Sequence, residues 1–156
     1  MLIGVISDTH GTLHPRLLSI LREAGVELIL HAGDVGAYEV IGKLAGVAPV
    51  LAVRGNVDGN GRAADLPEDI RVTWEDVDVY MTHIGGKPRI WLPRLPDPKP
   101  GVAICGHSHI ALLEEVEGVL FLNPGSAGTQ PRFDGTLSAA LLTLSGGTAS
   151  AEIINL

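Results

Sequence analysis

The sequence predicts an α/β fold in which two sheets pack face to face with helices outside them. In the first third of the chain, buried strand-like runs alternate with helix-like segments, which predicts right-handed βαβ crossovers and a parallel sheet. Beyond about residue 70, alternating polarity and hairpin signals predict an antiparallel half. Hydrophobic residues form 46% of the 156 residues, enough for the core of one domain over residues 1–156.

Three buried strands and two helices are predicted in the first half. Short apolar runs rich in β-branched residues place the strands at residues 2–6, 27–30 and 49–53. The first helix is expected to begin near His14 and Pro15, since proline suits a first helical turn, and to end at Gly25. A shorter helix is expected to end at Gly46.

The second half is predicted to contain strands joined by tight turns and one irregular excursion. The strands are expected at residues 70–74, 77–81, 102–105, 111–116, 119–122, 137–144 and 148–154. Residues 85–100 carry five of the ten prolines, which predicts an irregular segment over the site with at most one helical turn near Trp91. An exposed Trp91 in this segment would indicate a surface that binds a partner, and the sequence leaves a homo-oligomer possible.

Charge and composition exclude several classes of protein. Eleven Lys and Arg against eighteen Asp and Glu give a net charge of −7, and no basic block offers a nucleic-acid backbone clustered positive charge. No apolar run approaches the ~20 residues of a membrane span, and the first residues lack signal-peptide features. We therefore expect a cytoplasmic protein with no membrane or stable nucleic-acid partner. Cys105, inside an apolar run, is expected to be a buried, inert thiol.

Side chains that can bind metal follow the predicted strands at the points where the strands end. They comprise two carboxylates, one amide and four imidazoles: Asp8, His10, Asp34, Asn56, His83, His107 and His109. Oxygen and imidazole ligands without thiolate suit Mn, Fe, Ni, Co or Zn, and seven are too many for one tetrahedral or octahedral ion. The carboxyl ends of parallel strands share one sheet edge, so the sequence predicts a two-ion site there, with Asp34 shared between the ions.

These strand-end residues resemble, in order, the motifs of the calcineurin-like metallophosphoesterases. The motifs are Asp8-x-His10, Gly33-Asp34, Gly55-Asn56, His83 and Gly106-His107-x-His109. The short chain, Asn56-Val57-Asp58 and Asn123-Pro124-Gly125-Ser126 look most like the small bacterial and archaeal phosphodiesterase branch. The resemblance runs from residue 2 to about residue 126, and it implies a four-layer αββα sandwich of two mixed sheets.

The resemblance also implies a cofactor and a reaction. By motif position, one divalent ion would be held by Asp8, His10, Asp34 and His109, and the other by Asp34, Asn56, His83 and His107. Manganese is the first expectation, with Ni, Fe, Co or Zn as alternatives. Asp34, Asn56 and His107 would act in catalysis with a hydroxide that bridges the ions and attacks phosphorus in line with the leaving group. The implied function is a metal-dependent phosphodiesterase acting on a small phosphoester.

One position departs from the wider family. Val57 stands where many members carry a histidine that helps to protonate the leaving group or to hold the phosphate. Valine cannot donate a proton, and general acid catalysis is typically worth ~10²–10⁴-fold. We therefore expect a preference for substrates with acidic leaving groups.

Alternatives of other classes stay open. The same fold serves in eukaryotic retromer as an interaction scaffold whose site is degraded, whereas here all seven ligand positions are filled. A phosphomonoesterase or nucleotidase would be separated only by substrate profiling, and specificity is expected to lie in residues 85–100 and 125–134.

Several polar residues have two interpretations. Asp58 is either a partner of a ligand histidine or an exposed turn residue, and His31 is either structural or a support for the ligands. The turn at residues 123–126 either presents N–H groups to the site or only reverses the chain. Arg89 and Arg132 are candidates to contact a phosphate, although exposed surface arginines are more common.

Overall fold

Ten strands in two sheets, with short helices outside them, make up the computed structural model, which describes residues 1–130 and 136–156. In chain order the elements are β1 (Leu2–Ile6), α1 (Leu17–Ala24), β2 (Leu28–His31), α2 (Glu39–Ala45), β3 (Val50–Ala52), β4 (Asp69–Trp74), β5 (Val77–Thr82), α3 (Pro88–Trp91), β6 (Val102–Ile104), β7 (Leu112–Val116), β8 (Val119–Asn123), β9 (Ser138–Ser145) and β10 (Thr148–Asn155). Short 3₁₀ turns lie at Gly61–Asp65 and Leu92–Arg94.

The first sheet has the strand order β10-β9-β1-β2-β3. Strands β1, β2 and β3 are parallel, as predicted, and the final hairpin adds β9 antiparallel to β1. Ile6 pairs with His31, which pairs in turn with Ala52. The three parallel strands therefore end level with one another, and the loops that follow them leave the sheet at one edge.

The second sheet has the strand order β4-β5-β6-β8-β7. Its hairpins are antiparallel, but β5, β6 and β8 are parallel to one another. The expectation of an antiparallel second half is therefore wrong for the centre of this sheet, and the implied pair of mixed sheets is confirmed. Met81 and Leu122 both pair with Ile104, so the strands end level here too.

The two sheets pack face to face, and helices cover their outer faces. Alternate residues of β1 divide between two cores: Ile3 and Val5 face the second sheet, and Ile6 faces α1 and α2. The inner core includes Leu30, Val79, Met81, Ile104 and Leu122. The outer core on the first sheet includes Leu17, Leu21, Val40 and Leu44. This is the four-layer αββα arrangement that the family resemblance implied.

Residues 85–100 contain the predicted helical turn, as α3, but Trp91 is not exposed. Its side chain is 5% exposed and packs against Phe121 and Tyr80, with ring centroids 5.6 and 6.5 Å away. The prediction of an exposed Trp91 is therefore wrong, because α3 folds back onto the outer face of the second sheet.

Element boundaries differ from the predictions by a few residues. Helix α1 begins at Leu17, since residues 14–16 form a turn in which the Leu17 N–H donates to the His14 carbonyl over 3.0 Å. No helix within residues 1–130 and 136–156 has both the length and the apolar character that a bilayer span requires.

Candidate metal centre

Four of the seven predicted metal ligands form one cluster. These are Asp8, His10, Asp34 and His109, each offering an atom within 4.8 Å of all the others. They come from the loops after β1, β2 and β6, which leave the two sheets at adjoining edges. All are buried except His10, which is half-buried.

The atoms of this cluster face a common point. Nε2 of His10 lies 3.2 Å from Nε2 of His109, and the two rings stack with centroids 5.0 Å apart. Nε2 of His109 lies 3.4 Å from Asp8 Oδ1, and Nε2 of His10 lies 3.7 Å from Asp34 Oδ2. Two imidazole nitrogens and two carboxylate oxygens thus converge, which is the arrangement that a divalent first-row metal takes.

The remaining three predicted ligands lie on the other side of Asp34. Nε2 of His83 is 3.3 Å from Asp34 Oδ1, and the His83 ring contacts His107 edge to face with centroids 5.3 Å apart. Asn56 and His107 are exposed, and Asn56 lines a depression of about 240 Å³ together with His83. Asp34 therefore lies between two groups of side chains, with Oδ2 toward His10 and Oδ1 toward His83.

Buried polar atoms at this site fit a bound cation. Asp8 Oδ1 and His83 Nε2 are buried and have no hydrogen-bond partner within residues 1–130 and 136–156. The Nδ1–H of His83 donates to the Ala32 carbonyl over 2.7 Å, which in the neutral ring leaves the Nε2 lone pair facing the site. Buried polar atoms are normally satisfied, so the donor set matches a divalent ion.

The pKa values of the Asp8 and Asp34 carboxyl groups are shifted in opposite directions. Burial raises the pKa of Asp8 to about 6. Burial also acts to raise the pKa of Asp34, but contact with His83 and the Val57 N–H outweighs it and lowers this pKa to about 2. Burial acts to lower the pKa of His83, yet the Asp34 carboxylate and the Ala32 carbonyl outweigh it, so the pKa is raised. Asp34 is thus the more permanent negative charge, available to a cation over a wide pH range.

Unusual backbone geometry is concentrated at the predicted ligands. Asp8, His10, Asp34, His107 and His109 have φ values of 53°, 46°, 54°, 69° and 59°. Elsewhere in the described residues, non-glycine residues with positive φ are confined to the β4–β5 and β7–β8 hairpin turns. Such conformations cost energy and persist where the surroundings fix them. Here they turn each loop sharply at the strand end, so that side chains from separate strands reach the same site.

Two glycines let neighbouring loops approach one another. A Cβ on Gly55 would collide with the backbone N and Oδ1 of Asp34. A Cβ on Gly106 would collide with Ser7 Oγ and crowd Asp8 Oδ2. The glycine before Asn56 and the glycine before His107 are therefore required by close packing between loops.

Asp58 takes neither of the roles expected from the sequence. Its side chain is 1% exposed and accepts hydrogen bonds from the N–H groups of Val35, Gly36 and Gly55, over 3.1, 2.8 and 2.8 Å. The expected contact with a ligand histidine is wrong, and so is exposure in a turn. Asp58 joins the loop that carries Asp34 to the loop that carries Asn56. The contacts with Val35 and Gly36 could not be predicted from the sequence, because they join residues 23 and 22 positions away from Asp58.

The turn at residues 123–126 acts on the site through its side chains. The Asn123 amide donates to the Gly106 carbonyl over 2.8 Å and to Ser108 Oγ over 3.1 Å, which holds the loop carrying His107. The Ser126 hydroxyl donates to the Asp8 carbonyl over 2.8 Å. The turn therefore fixes two ligand loops in addition to reversing the chain.

His31 supports the ligand loop after β1. It is fully buried, and its Nε2 lies 3.0 Å from Oγ1 of Thr9, the residue between the predicted ligands Asp8 and His10. The Thr9 hydroxyl donates its proton to the Val35 carbonyl over 3.1 Å, so the His31 Nε2–H is the donor to Thr9. Burial lowers the pKa of His31 to about 4, which keeps the ring neutral.

The other candidates have smaller roles. Arg89 is exposed on α3, and Arg132 lies outside the described residues. His14 Nδ1 accepts a 3.4 Å hydrogen bond from the Arg16 N–H, a local contact in the turn before α1. Cys105 is buried, as predicted, and burial raises the pKa of its thiol to about 11, which disfavours the reactive thiolate.

Comparison with known proteins finds a family and several similar proteins, each of which matches most of the chain. Residues 1–147 match the calcineurin-like phosphoesterase superfamily domain. A probable metallophosphoesterase of Methanothermobacter thermautotrophicus is 37% identical, over 99% of this chain and 92% of that protein. A phosphodiesterase of Methanocaldococcus jannaschii is 31% identical, over 80% of this chain and 83% of that protein. The crystal structure of a single mutant of Vps29 from Entamoeba histolytica is similar with a TM-score of 0.80 and 25% identity, over 100% of this chain and 99% of that one.

Proposed function

The chain belongs to the calcineurin-like phosphoesterase superfamily and is a hydrolase of phosphoester bonds, and from this premise we propose that it is a phosphodiesterase with a dinuclear metal centre. The observation that carries this proposal is the position of Asp34. Its two carboxylate oxygens face different groups of side chains, at 3.7 Å from His10 and 3.3 Å from His83. A carboxylate in this position is suited to bridge two ions.

We assign the ligands of the two ions by these contacts and by motif order. One ion would be held by Asp8, His10, Asp34 and His109, and the other by Asp34, Asn56, His83 and His107. When bound, the ions would polarise the phosphoryl oxygens and make water nucleophilic near neutral pH. Manganese is the first choice, although Ni, Fe, Co and Zn suit the same donors.

The chain's own residues would orient the proposed ligands and contact the substrate. The His83 Nδ1–H bond to Ala32 orients the ring, and the Val57 N–H donates to Asp34 Oδ1 over 3.0 Å, which holds that carboxylate in place. Asn56 and His107 are the exposed ligands, so we propose that they also contact the phosphate in catalysis.

Leaving-group protonation is the step for which this chain is least equipped. The Val57 side chain is 48% exposed beside the site and has no proton that it could donate to a leaving group. We therefore propose a preference for acidic leaving groups. Val57→His should raise kcat/KM most for esters of basic alcohols, and an equal effect across leaving groups of different basicity would count against this idea.

We further propose that residues 1–156 act as one domain, in the cytoplasm. The support for one domain is that β9 and β10 complete the sheet begun by β1. Cytoplasmic location rests on the sequence expectation alone.

The alternative is a non-catalytic interaction protein, and the similarity to Vps29 over the whole chain is the observation that favours it. A phosphomonoesterase remains a further alternative within the enzyme class. Substrate profiling separates all three.

The test is hydrolysis of bis-p-nitrophenyl phosphate by chelator-treated protein titrated with Mn²⁺, with bound ions counted by elemental analysis. We expect activity to appear with about two ions per chain and to fall at least about 100-fold in Asp34→Asn. Asp65→Asn, on an exposed residue of the 3₁₀ turn, is the matched control. Protein that binds two ions yet stays inactive with Mn, Ni, Co and Zn would contradict the phosphodiesterase proposal and leave the phosphomonoesterase and the interaction protein as the alternatives.

A further inference from the structure

An apolar cavity of about 310 Å³ opens beside the candidate metal centre. Its walls are formed by side chains of three regions: Ile84 and Trp91, Ile110 and Leu112, and Phe121. His107 also lines it, so the cavity meets the site at a proposed metal ligand.

The rim of the cavity is built by the residues that follow two proposed ligands. Ile84 comes directly after His83, and Ile110 comes directly after His109. Their side chains are 56% and 50% exposed. The loops that fix the ligands therefore also present two large apolar side chains at the entrance, close to where a substrate phosphate would lie.

Among the polar side chains that line the cavity, those of Asn123 and Ser108 are already engaged within the protein, whereas Lys87 also lines the cavity and is exposed. The Asn123 amide donates to Gly106 and Ser108, and its Oδ1 accepts the Gly125 N–H over 2.9 Å. The Ser108 hydroxyl donates to the Ile110 carbonyl over 3.4 Å. A sugar or a nucleobase edge would therefore find few free partners here, whereas an apolar group would bury surface.

We propose that this cavity binds a bulky apolar group esterified to the substrate phosphate, so that the substrate class is a phosphodiester carrying one aryl-sized alcohol. The proposal rests on the proposed phosphodiesterase function. A cavity of about 150 Å³ already accommodates benzene, so the volume here is sufficient for a two-ring group. In the reaction, the oxygen of water bonds to phosphorus and the P–O bond to the other alcohol breaks; that alcohol leaves with the electron pair as its phenolate or alkoxide, a water proton passes to solvent, and the apolar ester stays attached to the phosphate.

The test compares methyl p-nitrophenyl phosphate with 2-naphthylmethyl p-nitrophenyl phosphate. Both release p-nitrophenolate, so they differ only in the retained group. We expect kcat/KM to be at least about tenfold higher for the naphthylmethyl ester, mainly through KM, since even one methylene in an apolar pocket is worth ~10–200-fold. Leu112→Trp fills the cavity and should reduce the ratio to near one.

Leu113→Trp is the matched control, because Leu113 follows Leu112 in β7, lies on the opposite face of the strand and is 40% exposed. It should keep the wild-type ratio. Thermal unfolding is measured for both variants, and Leu112→Phe is used if Leu112→Trp does not fold. Equal kcat/KM for the two esters in the wild type would overturn the cavity proposal and leave the phosphodiesterase intact, as would a ratio unchanged by filling the cavity.

A binding measurement decides the proposal if neither ester is hydrolysed, an outcome that contradicts the proposed function instead. The probes are methylphosphonate and 2-naphthylmethylphosphonate, added to metal-loaded protein in a calorimeter. Binding at least about tenfold tighter for the naphthylmethyl compound, lost in Leu112→Trp, would support the cavity as the ligand site. Equal binding of both compounds would overturn it.

Discussion

Several side chains outside the predicted ligand set form hydrogen bonds that hold the ligand-bearing loops in place. Asp58, Asn123 and Ser126 each accept or donate across loops that are far apart in sequence. Ligand geometry depends on such supporting contacts, whose removal typically lowers metal affinity by ~10–100-fold. The functional positions of the site therefore include residues that are not among its predicted ligands.

Asp58→Asn tests this supporting layer. The carboxylate accepts three backbone N–H groups, and an amide would turn one NH₂ group toward these donors. We expect a loss of about 1–3 kcal/mol in the free energy of unfolding and about 10–100-fold weaker Mn²⁺ binding. Denaturant unfolding and metal titration measure these, with Asp65→Asn as the control. Unchanged metal affinity in a destabilised Asp58→Asn protein would show that the two loops keep their positions without this contact.

His31 predicts a pH dependence of stability. Its pKa is about 4 when folded against the ordinary 6.5, so between these values the unfolded chain binds a proton that the folded protein does not. The contribution of His31 to stability should therefore fall as the pH drops from about 6.5 toward 4, by up to about 1.4 kcal/mol per pH unit, whereas the raised pKa of Asp8 acts in the opposite direction between about pH 6 and 4.

Urea unfolding of metal-free protein between pH 7 and pH 5 measures this effect. His31→Gln should have a shallower slope of free energy against pH than the wild type, and His14→Gln provides the matched substitution outside the core. Parallel slopes for wild type and His31→Gln would mean that His31 takes up its proton without unfolding.

Among the elements, the ends of the strands determine where the predicted ligands lie. Level registers in both sheets bring five loops to one edge, and glycines let these loops touch. The loops after β2 and β3 are in contact only because Gly55 has no side chain to collide with Asp34.

Gly55→Ala should disrupt the site more than it disrupts the sheets. The added methyl group would push the loop after β3 away from Asp34, which we expect to cost about 1–3 kcal/mol and to weaken metal binding and hydrolysis together. Gly42→Ala is the contrasting change, because Gly42 is exposed in α2 with open space around its Cβ. That variant should be about 0.5–1 kcal/mol more stable. Full activity in Gly55→Ala would contradict the close-approach argument.

The elements were largely predictable because burial and strand period are local properties of the sequence. The pairing of strand β8 was only partly predictable. Its hairpin with β7 is evident from the turn at Glu117 and Gly118, but its parallel pairing with β6 is not evident from the sequence. Trp91 was misassigned because its burial depends on contact with Phe121, thirty residues away. The candidate ligands were predictable from strand ends, whereas the hydrogen bonds that Asp58 accepts from Val35 and Gly36, and the apolar cavity, arise only when distant loops meet.

At the scale of the whole molecule, the candidate site joins the two sheets. Asp8, His10 and Asp34 follow strands of the first sheet, and His83, His107 and His109 follow strands of the second. A cation bound at both sets of loops favours the folded state over the unfolded chain, since the unfolded chain does not bring these ligands together.

Metal should therefore stabilise the protein globally. Saturation at about 100 times the dissociation constant contributes about 2.7 kcal/mol, which corresponds to an increase in Tm of about 5–11 °C for a domain of this size. Thermal unfolding in chelator and in Mn²⁺ measures the change, with Asp34→Asn expected to show little of it. An equal shift in wild type and Asp34→Asn would place the bound ions elsewhere.

The first sheet also constrains the order of events during synthesis. Strand β1 pairs on one side with β2, but on its other side with β9, so that Leu2 lies opposite Thr143. As the chain leaves the ribosome, one edge of β1 stays uncovered until residues 138–155 have been made, and exposed strand edges promote aggregation. Nascent chains that stop before residue 138 should therefore depend on chaperones, and completion of the final hairpin should release them.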